Sequence, residues 1–149
     1  MPREFKRSGI AFMYPDNWTI EEDGTLPRSG SVTIYTPGGA FWSLSAHHGP
    51  VAPEELALAA VDAMKQEYPE VEVEAVSEEI AGHAMTGYDL SFYYLDLINT
   101  ASVRCIRAAG SSYAIFWQAE DHEMKEVEAV FRAMAASFLG NLKNSRRAK

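Results

Sequence analysis

The sequence predicts an α+β domain. One mainly antiparallel sheet carries a helix on each face, giving a three-layer α/β/α sandwich over residues 8–142. Three observations point this way. Tyr113-Ala114-Ile115-Phe116-Trp117 is short, wholly apolar and leads straight into an amphipathic helix. The connections between strand-like segments are nearly all short, which favours antiparallel pairing. Leu90-Ser91-Phe92-Tyr93-Tyr94-Leu95 and residues 114–117 are apolar on both faces, and such strands need cover on both sides.

The elements follow in order. Residues 9–14 alternate weakly and stop at the turn signal Pro15-Asp16-Asn17; residues 18–22 read as the return strand, closed by Asp23-Gly24. Residues 31–36 and 41–46 form a hairpin around Pro37-Gly38-Gly39 and end near His47-His48-Gly49-Pro50. Pro53 opens the first helix, 53–68, with Glu54 and Glu55 in its first turn. Leu56, Ala60, Met64 and Tyr68 recur every fourth residue, and Pro69 stops the helix. Val71, Val73 and Ala75 alternate with Glu70, Glu72 and Glu74, a half-exposed strand. After a turn or bulge at Gly82-His83, residues 85–95 form a long strand, and 100–109 its antiparallel partner. Ala109-Gly110-Ser111-Ser112 turns into the strand at Tyr113. In the last helix, from 121 to 138, Met124, Val127, Val130, Phe131, Met134 and Phe138 make one stripe. Asp121 is the expected N-cap, Glu120 and Glu123 suit the positive end of the dipole, and Gly140 supplies the stop.

With 149 residues, 47% of them hydrophobic, the chain can bury a sizeable core in one domain. Its single cysteine, Cys105, excludes an internal disulfide and a cysteine-rich zinc site. The opening residues lack the apolar run of a signal peptide, and no stretch approaches a membrane span. The expected location is cytoplasmic, unless a leader has been trimmed from the chain. Net charge is −8, unevenly placed. Residues 1–7 and 143–149 hold seven of the 13 basic residues and one acid, and read as frayed basic tails. Residues 8–142 then carry six basic and twenty acidic residues, a formal −14 that repels phosphate backbones and argues against nucleic-acid binding.

Candidate chemistry is sparse. His47 and His48 are adjacent, so in a strand they point to opposite faces and cannot share one metal; only a loop geometry, which Gly49-Pro50 permits, would bring them together. No further ligand follows at a metal-binding spacing. Cys105 lies mid-strand among Val103, Arg104 and Ile106, the setting of an inert buried thiol. Arg104 and Arg107 are two of the six cations in the acidic body and share one strand. They either pair with acids on neighbouring strands, Asp89 for example, or offer a guanidinium fork to a carboxylate or phosphate. No serine lies in a nucleophile elbow, and Gly38-Gly39 sits in a hairpin rather than a phosphate loop.

The chain resembles the Mog1/PsbP-like superfamily. Phe12-Met13-Tyr14-Pro15 followed by Trp18 carries the resemblance at the start, and the helix after the second hairpin continues it. Tyr113-Ala114-Ile115-Phe116-Trp117 leading to a helix that ends Ala136-Ser137-Phe138 completes it. The superfamily includes a Ran-binding nuclear transport factor, an extrinsic subunit of photosystem II and bacterial proteins of unclear role. The resemblance implies a mainly non-catalytic domain and carries over no functional residue. The opening residues show neither the leader nor the lipobox cysteine expected of its exported members, which argues against an envelope role unless a leader has been trimmed. The expected function is therefore a non-catalytic accessory or protein-binding domain without a cofactor. The alternative is a small-molecule or anion binder, or a minor enzyme, using a cleft near Arg104 and Arg107, with His47 and His48 as further candidates.

Overall fold

A computed structural model describes residues 1–7, 9–26 and 29–147. The strands are β1 (Pro2–Arg7), β2 (Ile10–Pro15), β3 (Thr19–Thr25), β4 (Ser29–Tyr35), β5 (Phe41–His48), β6 (Glu72–Ile80), β7 (His83–Tyr94), β8 (Leu97–Ala108) and β9 (Ser111–Glu120). The helices are α1 (Pro53–Glu67), between β5 and β6, and α2 (Asp121–Arg147), after β9. Seven strands form an antiparallel sheet in the order β3-β4-β5-β9-β8-β7-β6, and β1 and β2 form a separate two-stranded sheet. This is a mainly antiparallel α+β fold.

Alternation along β9 sorts the core. Tyr113, Ile115, Trp117 and Ala119 join the large cluster with Trp42, Leu44, Phe131 and Phe138. Ala114 and Phe116 pack instead with Ala57, Val103 and Cys105. Within the large cluster, Trp18 meets Phe131 edge-on at 5.6 Å, and Phe12 meets Trp42 at 4.8 Å. α2 packs chiefly on β2, and α1 on β7, β8 and β9. The buried residues of α1 are Ala57, Val61 and Met64, with Leu56 and Ala60 only partly buried, so its apolar face is rotated by one residue from the expected stripe.

Several expectations need correction. Residues 2–7 are no frayed tail. Phe5 stacks on Phe12 at 5.1 Å, and β1 pairs with β2 along its length. Strand β2 does not fold back on β3. The turn at Pro15 carries the chain to the other sheet, where β3 pairs with β4. The remaining backbone edge of β2 is met by α2, where Met13 N–H donates to Ser137 Oγ at 2.9 Å and Asn141 Nδ2 donates to the Ala11 carbonyl at 3.1 Å. Nor does α2 stop at Gly140. Leu139 and Leu142 are buried beyond the expected end, so the apolar face keeps the helix going. The C-terminal basic residues to Arg147 lie in that helix, and Lys149 lies outside the described residues.

The helix cap also shifts by one residue. The Glu120 carboxylate accepts from the backbone N–H of His122 at 2.7 Å and of Glu123 at 3.1 Å, so Glu120 rather than Asp121 satisfies the free donors. Glu123 reaches sideways to accept from the Thr36 hydroxyl at 2.5 Å, tying the helix start to the β4–β5 turn.

Candidate functional site

The two arginines do not form a common site. Arg104 points to the side of the sheet packed by α2 and is 1% exposed. Its Nε donates to Glu78 Oε1 at 2.5 Å and its Nη2 to Asp89 Oδ1 at 2.8 Å, while Nη1 donates to the carbonyls of Tyr88 and Val103. Arg132 from α2 shares Glu78 at 3.2 Å. Both guanidinium groups lie over the Trp117 ring, at 5.8 and 5.5 Å. The neighbouring strand makes room for this. Gly87 faces Arg104 across the ladder, and a Cβ there would lie 1.7 Å from the Val103 carbonyl oxygen. Burial raises the Glu78 carboxyl, but the hydrogen bond and charge of Arg104, with Arg132, outweigh it and hold that group below its ordinary value. The pairing with Asp89 is the one read from the sequence; its burial is not.

Arg107 points the other way. It donates to the carbonyls of Gly49 at 2.6 Å and Val51 at 3.2 Å and to Ser112 Oγ at 3.1 Å, fastening the segment before α1. His47, Ser112 and Arg107 stand in one cross-strand row, and His47 Nε2 lies 3.1 Å from Ser45 Oγ. His48 takes the opposite face, as alternation requires. The structure thus places His47 and Arg107 on one face, on either side of Ser112 and without a hydrogen bond between them, and separates both from His48 and Arg104. Burial, with the charge of Glu54, pushes the Cys105 thiol up to about 12, against the opposing pull of Arg104.

The surface that stands out was not among the candidates. At the end of the β7–β8 hairpin, Tyr93 is 73% exposed and Leu95 77%, with Tyr94, Leu97 and Ile98 exposed beside them. Leu90 and Phe92 further down β7 are buried, so the two-sided cover expected for this apolar run stops short of its end. The turn itself is Leu95-Asp96, with φ of 51° and 62°. The two comparable turns, Ala81-Gly82 and Ala109-Gly110, place glycine second. A leucine at positive φ costs roughly 1–2 kcal/mol. Two grooves flank the tip. One, of about 450 Å³, lies beside Tyr93 and is bordered by Glu67, Tyr68 and Glu70. The other, of about 680 Å³, lies beside Leu97 and is bordered by Trp18, Glu120, Glu123 and Glu126. A sequence signal did exist: the six apolar residues from Phe92 to Ile98 are interrupted only by Asp96, with no glycine at the turn.

A third groove, of about 430 Å³, lies between α2 and β2 and is lined by Met13, Tyr14, Val130 and Met134. Among the described residues, no helix is long and apolar enough to cross a membrane.

No family model and no curated protein matches the chain. Solved structures do. A protein from Bacteroides thetaiotaomicron aligns with a TM-score of 0.60 at 16% identity over 90% of this chain, which spans only 46% of that protein. The cyanobacterial PsbP of Synechocystis aligns with a TM-score of 0.58 at 14% identity, covering 91% of this chain and 90% of that one. A protein of unknown function from Pseudomonas aeruginosa aligns with a TM-score of 0.53 at 12% identity, covering 91% and 94%. These likenesses show a PsbP-like fold.

Proposed function

We propose that the chain is a Mog1/PsbP-like three-layer α/β/α domain that acts as a non-catalytic, protein-binding accessory module. Support for the layers comes from alternation: Ala114 and Phe116 pack with α1 residues, Ile115 and Trp117 with α2 residues. The observation that carries the binding role is the β7–β8 tip. Contiguous exposed apolar patches of this kind mark interaction sites in globular domains. The anion-binding alternative draws no support from Arg104, which is itself buried and whose donors are occupied by protein acceptors.

The test is affinity capture from native lysate with the wild-type chain and with Leu95→Asp. That substitution removes an exposed apolar side chain and leaves the core alone. Expected is loss of the captured partner from a variant of unchanged folding. An identical captured set would overturn the reading.

A further inference from the structure

Granted that protein-binding role, we infer that the β7–β8 tip inserts into an apolar cleft on a partner protein, and that this cleft has a basic rim. Geometry argues for the cleft. Tyr93 pairs across the hairpin with Ile98, and Tyr94 pairs with Leu97. Alternation sets the two pairs on opposite faces of the ribbon, with Leu95 at the end between them. A flat contact covers one face and leaves the other pair in water. The single face of a hairpin end falls short of the roughly 800 Å² per partner that a stable flat association buries. A concave receptor desolvates both faces at once, the setting in which clustered aromatic and aliphatic side chains contribute most.

Charge argues for the rim. Asp96 sits in the turn. Glu67 and Glu70 border the groove beside Tyr93, and Glu120, Glu123 and Glu126 border the groove beside Leu97. The one imidazole on these walls, His122, is already held by Glu120 at 2.5 Å. The same negative field disfavours a second copy of this chain, whose tip is flanked alike, and an anionic lipid surface. The turn adds an independent sign. Its strained leucine is exposed, so it costs the fold stability without contributing to the core, and outliers of this kind cluster at binding sites.

The experiment is site-specific photocrosslinking of the full chain in native lysate. One variant carries p-benzoylphenylalanine in place of Tyr93, another in place of Tyr94. Each is irradiated at low salt and at about 1 M salt, where the Debye length shrinks to about 3 Å. Expected are adducts to the same polypeptide from both faces. Their yield should fall at least two-fold in high salt and again in the background of Asp96→Asn. Adducts from one face only, adducts to a second copy, or a yield indifferent to salt and to Asp96→Asn would overturn the basic-rimmed cleft and leave the binding role standing, and adducts to lipid alone would overturn both. No adduct from either folded variant would overturn both.

Discussion

Arg104 shows what a charge needs in order to enter this core. A guanidinium on a mid-sheet strand reads from the sequence as a surface group, and a surface pair would tolerate lysine at under about 1 kcal/mol. The structure reverses that expectation. Arg104 is buried and gives separate donors to Glu78, Asp89 and two carbonyls, a geometry that lysine's single ammonium cannot reproduce. Arg104→Lys should therefore destabilise the fold by about 1–3 kcal/mol, the cost of losing charged hydrogen bonds around a buried cation whose acceptors are half-buried. The check is a lower urea midpoint at unchanged slope. A shift worth less than about 0.5 kcal/mol would mean that water reaches the network. The Asp89 partner was legible because it lies close in sequence and opposite charge invites pairing. Glu78 and Arg132 were not, because they arrive from β6 and α2, which only the folded sheet brings beside Arg104.

At the scale of elements, the positions of the periodic segments are legible, their exact faces and ends less so, and the strand pairings least. The stripe of α2 set the helix start, and Pro37-Gly38-Gly39 set the β4–β5 hairpin, because both signals are local. The pairing of β2 was misread because a Pro-Asp-Asn turn looks the same whether the chain returns or crosses to another sheet. β1 was missed because Phe5 alone marks its buried face. Two predictions belong here. Phe131 is fully buried against Trp18, so Phe131→Ala should cost about 3–5 kcal/mol, whereas Glu128 makes only an exposed 3.6 Å pair with Arg132 and Glu128→Ala should cost about 0.5 kcal/mol or less. Equal shifts in denaturant midpoint would contradict the assignment of the stripe. For the β7–β8 turn, Leu95→Asn should stabilise the fold by about 1 kcal/mol, because asparagine tolerates positive φ and little packing is lost at an exposed position. Calorimetry reads this as a raised melting temperature. A lowered one would show that the leucine packs in solution.

At the scale of the whole molecule, the mainly antiparallel α+β class was legible from short connections and two amphipathic helices, but the exposed apolar hairpin end was not, because exposure there depends on how the rest of the chain packs around it. The Glu78 network joins elements far apart in the chain. It links β6 to β8 through Arg104 and to α2 through Arg132, so its protonation bears on the whole fold. The folded carboxyl sits below its ordinary value of 4.5, so near neutral pH it is ionised in both folded and unfolded chains and its stabilisation is fully present. As pH falls past that ordinary value, the unfolded chain takes the proton first. The contribution then fades until the folded group also protonates. Glu78→Gln, which cannot titrate, should be less stable than wild type near neutral pH. The gap should narrow as the pH is lowered through the carboxylate range. Urea midpoints of both proteins across that range measure it. A gap that stays constant would show that the unfolded chain holds Glu78 as low as the folded one does.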